Sequence, residues 1–396
     1  MRVVLVANLP THYRVPLYAK LAEELKGELR VLFYSDGGEW YWNSAPETDL
    51  EGVSAKSLAG FWVGRTRITI GLVKELLFTD ADVIIKDPNG KFALPVTYLL
   101  ARFRRKPFVF WASLWVHPDT PIHRITRPLL RHIYRQAGAI VTYGRHVSRH
   151  VIAEGADPRK VFVSPQAVRD GRRTPPLKAN WTLGAKRLIY VGRLEAWKGV
   201  ASLLYAVHRA TGVTLTVVGD GSQRAELEAL AASLDLEGRV TFVGQQANDR
   251  LYMHLQSACC LIVPSRQTPE FSEPWALVVN EAMNAGCLVI CSDAVGAAHD
   301  GLVEHTVTGL VFSAGNVDEL ACHLRAIALE GPEGLGFKMA TAGYHRVQNY
   351  NHAAAAAAFV EAALYARATM GRDASDRGTR CGRRRGDRRR PWTEDG

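Results

Sequence analysis

The sequence predicts an α/β protein built as two doubly wound parallel sheets in one chain, and three observations carry that prediction. The chain has 396 residues, more than one compact core usually holds. Apolar runs of strand length recur with helical stretches between them, which is the signature of parallel βαβ units. The rhythm breaks once, over residues 170–182, where a polar segment containing Pro175 and Pro176 reads as a linker.

In the first half the strand-like runs are Val3 to Ala7, Leu29 to Tyr34, Val83 to Ile85, Phe108 to Trp111, Ala139 to Thr142 and Val161 to Ser164. They make residues 1–169 one Rossmann-like domain. The second series is Arg187 to Val191, Leu215 to Val218, Val240 to Val243, Cys260 to Val263, Leu288 to Cys291 and a short Gly309 to Phe312, placing a second such domain at 183–350. An Ala-rich stretch over 351–370 reads as a terminal helix. Residues 371–396 carry nine arginines against five acids and show no apolar period, so they are expected to be a disordered basic tail. Ligands collect at the carboxyl ends of strands in open sheets, so two facing sheets imply a binding cleft.

Composition narrows the class. Apolar residues make up 47% and charged residues 22% of the chain, as in ordinary globular proteins. The first apolar run is cut short by Asn8 and Pro10, which suits a buried strand better than a secretory leader. No uninterrupted apolar run has the length of a membrane span. A cytoplasmic location follows as the expectation. None of the six cysteines has zinc-ligand spacing, and no metal site is expected. The net charge is +10, or +6 without the tail; polyanionic ligands, a membrane surface or nothing specific would each account for it. Nucleic acid is not an expected partner.

The most informative segment is Phe271-Ser-Glu273-Pro-Trp-Ala-Leu-Val-Val-Asn-Glu281, with two carboxylates eight residues apart. Pro274 suits a first helical turn, so Glu273 is expected at or before an N-cap and Glu281 two turns inside. A separation of roughly 12 Å along the axis would suit two parts of an elongated polyhydroxyl ligand. Upstream, the strand ending at Val191 runs into Gly192-Arg193-Leu-Glu-Ala-Trp-Lys198-Gly199 before a helical pattern. Gly192 allows close backbone approach, while Arg193 and Lys198 place positive charge beside the amides of a helix start, a combination suited to a diphosphate. Gly219-Asp-Gly221 lacks the third glycine of a dinucleotide fingerprint, since Arg224 stands there, and reads as a turn.

These two segments resemble the G-R-x4-K-G and E-x7-E elements of the retaining glycosyltransferases of family 4. The resemblance implies the GT-B fold, with the terminal helix crossing back onto the first domain. It gives Glu273 the donor sugar, Glu281 the ribose, and Arg193 and Lys198 the diphosphate of a nucleotide sugar, with no cofactor beyond that substrate. Gly244 matches the family's turn beside the base, and Pro264-Ser265-Arg266 its P-S-R element, so Arg266 is expected to line the cleft. His117, after the strand Phe108 to Trp111, corresponds by position to an active-site histidine facing the donor sugar. His12 is a second candidate. Ala276 departs from the glycine usual in E-P-W-G-L, Leu288 from a frequent proline, and Gln166-Ala-Val from a frequent Asn-Gly-Val.

The implied activity is transfer of a sugar from a nucleotide diphosphate to a hydroxyl, with retention and without a required metal. A sugar-nucleotide epimerase or phosphorylase of the same fold, and a silent nucleotide-sugar-binding subunit, are the alternatives. The acceptor is open: saccharide, glycolipid or small natural product. Glu39-Trp40-Tyr41-Trp42 offers rings for stacking on an acceptor, or for core burial. Arg124, Arg127, Arg131 and Arg135 form a helical stripe that fits either a solvated face or anionic lipid at a membrane surface. Asp80-Ala81-Asp82 imitates a metal-binding D-x-D but precedes an apolar strand, so it is expected to be structural.

Overall fold

Strands packed on both faces need apolar side chains at every position, and the first strand, β1 (Val3–Ala7), is buried throughout. The computed structural model describes residues 1–11, 13–35, 50, 52–169, 172–182, 184–269 and 271–383, with backbone alone at Ile122 and 371–383. β1 continues into β2 (Leu29–Phe33), β3 (Ser54–Ser57), a hairpin of β4 (Phe61–Val63) and β5 (Thr66–Ile68), then β6 (Val83–Lys86), β7 (Phe108–Ala112), β8 (Ala139–Thr142) and β9 (Val161–Val163). Seven of these form one parallel sheet in the order β3-β2-β1-β6-β7-β8-β9. The direction of winding reverses between β1 and β6, which opens a crevice at their carboxyl ends.

The second sheet takes β10 (Lys186–Val191), β11 (Val213–Val218), β12 (Val240–Gly244), β13 (Cys260–Val263), β14 (Leu288–Ser292) and β15 (Leu310–Phe312). Its order is β12-β11-β10-β13-β14-β15, again parallel, with the reversal between β10 and β13. Cys259, Cys260, Cys287 and Cys291 are buried free thiols in or beside these strands. Among the described residues no helix is long and apolar enough to cross a membrane.

The last helix, His352–Arg383, does not pack on the second sheet that precedes it. Ala355, Ala356, Phe359, Ala362, Ala363 and Ala366 join the first domain's core, and the Phe359 ring stands edge-on to Trp111 at 4.8 Å. Small alanines let the helix lie close to the sheet, and they carry high helix propensity. Its backbone continues past residue 370 to Arg383, a departure from the disordered tail expected there; extending an existing helix costs far less than starting one. Residues 384–396 lie outside the described residues.

β3 and the β4–β5 hairpin were not anticipated. β3 is exposed at every position and carries only the sequence Ser-Ala-Lys-Ser, so it is held by backbone pairing to β2 and by the Lys56–Glu75 ion pair at 2.6 Å. Such an edge strand has no apolar alternation to reveal it.

Candidate active site

At the carboxyl end of β10 the chain turns through a short 3-10 segment, Ala196–Lys198, before the helix Val200–Arg209. Gly199 between them is left-handed at φ 71, and a Cβ there would fall 2.0 Å from the Pro264 carbonyl oxygen. Only glycine allows that approach. The loop is stitched to its neighbours by backbone bonds: Gly192 N–H donates to Val218 at 3.0 Å and Leu194 N–H to Asp220 at 2.9 Å. Gly219-Asp-Gly221 is thus a turn supporting the loop. Gly219 N–H donates in turn to the Gly244 carbonyl at 2.9 Å, which places Gly244 beside the same edge.

The Arg193 guanidinium lies over the Trp197 ring at 5.6 Å, and has no acidic partner among the described residues. Trp197 stands 5.7 Å from the Phe271 ring and accepts a 2.7 Å bond from the Arg266 amide at its backbone oxygen. The Arg266 side chain itself is exposed and runs past Gly199 toward Gly315, along the outer side of this edge.

Glu273 does not cap a helix. It pairs with Val295 in an isolated parallel bridge, and the following helix starts only at Val278 and ends at Asn284. The cause lies between: Ala276 is left-handed at φ 70, which breaks any helical path from Pro274, so the expected separation along one helix axis does not apply. Glu281 sits in the first helical turn rather than two turns inside. The bridge aims the buried Glu273 side chain at Lys198, whose ammonium touches its carboxylate. The Lys198 side chain retains 17% exposure and that of Glu273 10%.

The first domain closes on the same point. Trp115 Nε1 donates to the Glu273 carbonyl at 3.2 Å, Asp119 N–H to Pro269 at 2.7 Å, and Asn280 Nδ2 to Gln166 at 2.8 Å. His146, which sequence reasoning passed over, bonds the Pro274 carbonyl through Nε2 at 3.0 Å and packs between Trp115 and Trp275. Burial lowers its pKa to about 4, so it is neutral and donates. A lone histidine in a helix offers no periodic signal; only its neighbours across the cleft give it a role.

His117 lines a cavity of about 350 Å³ with Gln267, Thr268, Pro269 and Phe271, and its Nε2 meets the His123 carbonyl at 3.1 Å. Phe271 connects this cavity to Trp197 and so to Arg193. Glu281 is placed elsewhere. It lines a larger cavity, about 400 Å³, with Tyr13, Arg169, Arg172, Asn248 and Tyr252, and burial raises its carboxyl to about 7. No hydrogen bond or ion pair joins Glu281 to Lys198 or Glu273 among the described residues. The expected site is therefore two adjoining groups: a charged pair with its aromatic support, and a separate carboxyl beside the linker.

Other expected features resolve into local structure. Arg127 and Arg131 both grip Glu154 and hold its carboxyl down at about 2, while Arg124 pairs with Asp119 at 2.7 Å. That part of the basic stripe is occupied within the domain. Asp80 and Asp82 both face Arg2 at the amino end of β6, opposite the cleft. His12 and Glu39 to Trp42 lie outside the described residues.

Residues 176–342 match the protein-family model described as Glycosyl transferases group 1. Over the whole chain the architecture is similar to HepE of Anabaena solved with UDP and glucose, with a TM-score of 0.70 at 20% identity, covering 91% of this chain and 98% of that one. The apo form of the lipopolysaccharide outer core galactosyltransferase WaaB gives 0.68 at 16%, covering 92% and 99%. The fold is GT-B. Among curated relatives, the alpha-D-kanosaminyltransferase of Streptomyces kanamyceticus is 25% identical over 257 residues, 60% of this chain and 64% of the relative. The 2-deoxystreptamine glucosyltransferase of the same organism is 31% identical over 222 residues, 52% and 56% respectively. The match thus spans less than two thirds of either relative.

Proposed function

We propose that this protein transfers a sugar from a nucleotide diphosphate sugar to an acceptor hydroxyl, with retention of configuration and without a required metal. The observation that carries the reading is the contact of Lys198 with Glu273 at the cleft, with Arg193 held over Trp197 beside it. Departure of the diphosphate builds negative charge on its oxygens, and fixed cations lower that barrier because they need no reorganisation. In the resting site Glu273 balances Lys198. When donor binds, the ammonium is shared with phosphate, and the carboxylate is freed to accept from sugar hydroxyls.

Arg193 steadies the second phosphate, Glu281 takes the ribose hydroxyls in its cavity, and Gly244 allows the base to approach the backbone. His117 faces the sugar from the first domain and orients it. The departing phosphate oxygen takes the acceptor proton, so no separate protein base is required. The matched family and the nucleotide-bound neighbour support this reading, and the direct pairing of a cation with a carboxylate at the cleft favours turnover over silent binding.

Donor turnover in Glu273→Ala and Lys198→Ala variants tests it. We expect each to lose about 10²–10³ in kcat while a thermal-shift assay with nucleoside diphosphates still reports binding. Wild-type rates in both variants would sink the assignment. A cytoplasmic location with peripheral contact to an anionic membrane belongs to the same proposal: Phe61, Trp62, Phe78 and Phe103 of the first domain are exposed, and the basic Arg102 directly precedes Phe103. Sedimentation with phosphatidylglycerol vesicles, against phosphatidylcholine alone, checks that part.

A further inference from the structure

The winding of the first sheet reverses between β1 and β6, and the crevice at their carboxyl ends gathers the hydrogen-bond donors of Thr11, Arg14, Trp111 and Tyr143. We propose that it seats an oxyanion, a carboxylate or phosphate group carried by the acceptor sugar; the word acceptor here rests on the function proposed above, the anion seat does not.

Arg14 is the centre of the argument. It immediately precedes the helix Val15–Glu24, whose amino end opens at this edge. Its guanidinium lies 3.8 Å from the centre of the Trp111 ring, and its Nη2 donates to the Tyr143 hydroxyl. Its Nη1 is buried without a hydrogen-bond partner. A guanidinium is permanently charged and has only donors to offer, and no carboxylate pairs with it among the described residues. Leaving such a donor buried and unanswered costs free energy that a ligand oxygen would return.

The neighbouring groups have the same polarity. Thr11 Oγ1 and Trp111 Nε1 are likewise buried without partners, and both residues line the crevice with Arg14 and Tyr143. The Tyr143 oxygen already accepts from Arg14, so its own proton is available to donate. The carboxylate at this edge, Asp87, is fully engaged. Its Oδ1 is held by Lys86 and by the Tyr34 hydroxyl at 3.2 Å, and its Oδ2 by the Asn8 amide at 2.8 Å. Lys86 cancels the Asp87 charge and Arg14 leaves the crevice net positive. The space measures about 30 Å³, room for one or two water-sized groups, which fits the oxygens of one anionic substituent rather than a whole sugar. Tyr13 lines both this crevice and the cavity holding Glu281, so a sugar anchored here faces the second domain.

An amine-bearing acceptor would be repelled by Arg14.

Calorimetric titration of the full chain with glucose 6-phosphate, glucuronate, glucose and glucosamine tests the proposal. We expect at least one of the two anionic sugars to bind about tenfold or more tighter than glucose, and glucosamine to bind no better than glucose. The two anionic arms distinguish a phosphate from a carboxylate ligand. Arg14→Gln should abolish the preference while the thermal shift with nucleoside diphosphates is unchanged. If Arg14→Gln does not fold, Trp111→Phe keeps a ring beneath the guanidinium, removes one donor and should weaken the preference severalfold. Equal binding of charged and neutral sugars, or a preference that survives in the folded Arg14→Gln protein, overturns the proposal. Absence of any nucleoside diphosphate shift in the wild type would instead count against the donor reading and leave the anion seat standing.

Discussion

The carboxyl edges of the two sheets each hold a lysine against a carboxylate, and the two pairs differ in what water can reach. At the first sheet, Lys86 is fully buried and spends all three protons inside the fold, on Asp87 Oδ1, the Asp87 carbonyl at 2.9 Å and the Asn89 carbonyl at 2.8 Å. At the second, Lys198 touches Glu273 alone among described residues and keeps part of its surface open. A sealed, saturated ion pair is scaffolding; an open, unsaturated one can exchange its partner for a ligand. The distinction rests on the remaining donors, not on the residue types, which are nearly the same.

The largest expected effect breaks the first pair. Lys86→Met leaves Asp87 buried and uncompensated, and urea unfolding should show a loss of about 3–5 kcal/mol. Lys198→Met should appear in turnover rather than in the unfolding midpoint. If the two variants behaved alike in both measurements, the contrast drawn from exposure would fail.

The interdomain contact comes next. Burial depresses the His146 pKa to about 4, so between pH 6.5 and 4 the unfolded chain takes up a proton that the folded protein refuses. Stability therefore falls as the solution is acidified across that window, by about 3 kcal/mol in total. Comparing the pH dependence of unfolding in wild type and His146→Gln isolates this component; the variant should have the shallower slope.

Glu281 sharpens the comparison within the second domain. Its carboxyl, raised to about 7 by burial, accepts two hydroxyl hydrogens well only when ionised. Affinity for a nucleoside diphosphate should decline by up to about tenfold per unit below pH 7, and Glu281→Gln should remove the difference. Calorimetric titration at several pH values reads it directly. The smallest effect belongs to Ala276. A left-handed alanine carries about 1–2 kcal/mol of strain, of which glycine returns part to the unfolded chain's entropy. Ala276→Gly should stabilise the protein by up to about 1 kcal/mol in urea melts.

Legibility in the sequence followed the same physical lines. Doubly buried strands such as β1, β8 and β13 announce themselves because every side chain must be apolar, and their ends were placed to within a residue or two. The loop after β10 was readable because Gly192, Arg193, Lys198 and Gly199 all fall within one eight-residue segment. The helix start at Glu273 was misplaced because the proline signal was followed, whereas the left-handed turn at Ala276 decides the path. Arg14, Asp87, Trp111 and Tyr143 carried no motif at all. They come from four segments that only the sheet's winding brings together, and no spacing along the chain encodes that encounter.

The helix His352–Arg383 has a consequence for biosynthesis. Six of its apolar side chains complete the core around β6 to β9 and the helix Val15–Glu24, so the first domain lacks one wall until the segment that follows the second sheet has been synthesised. Vectorial folding, in which an amino-terminal unit matures before its successor emerges, is thereby inverted: the second sheet has all of its own strands first, and the first domain must wait for its closing piece.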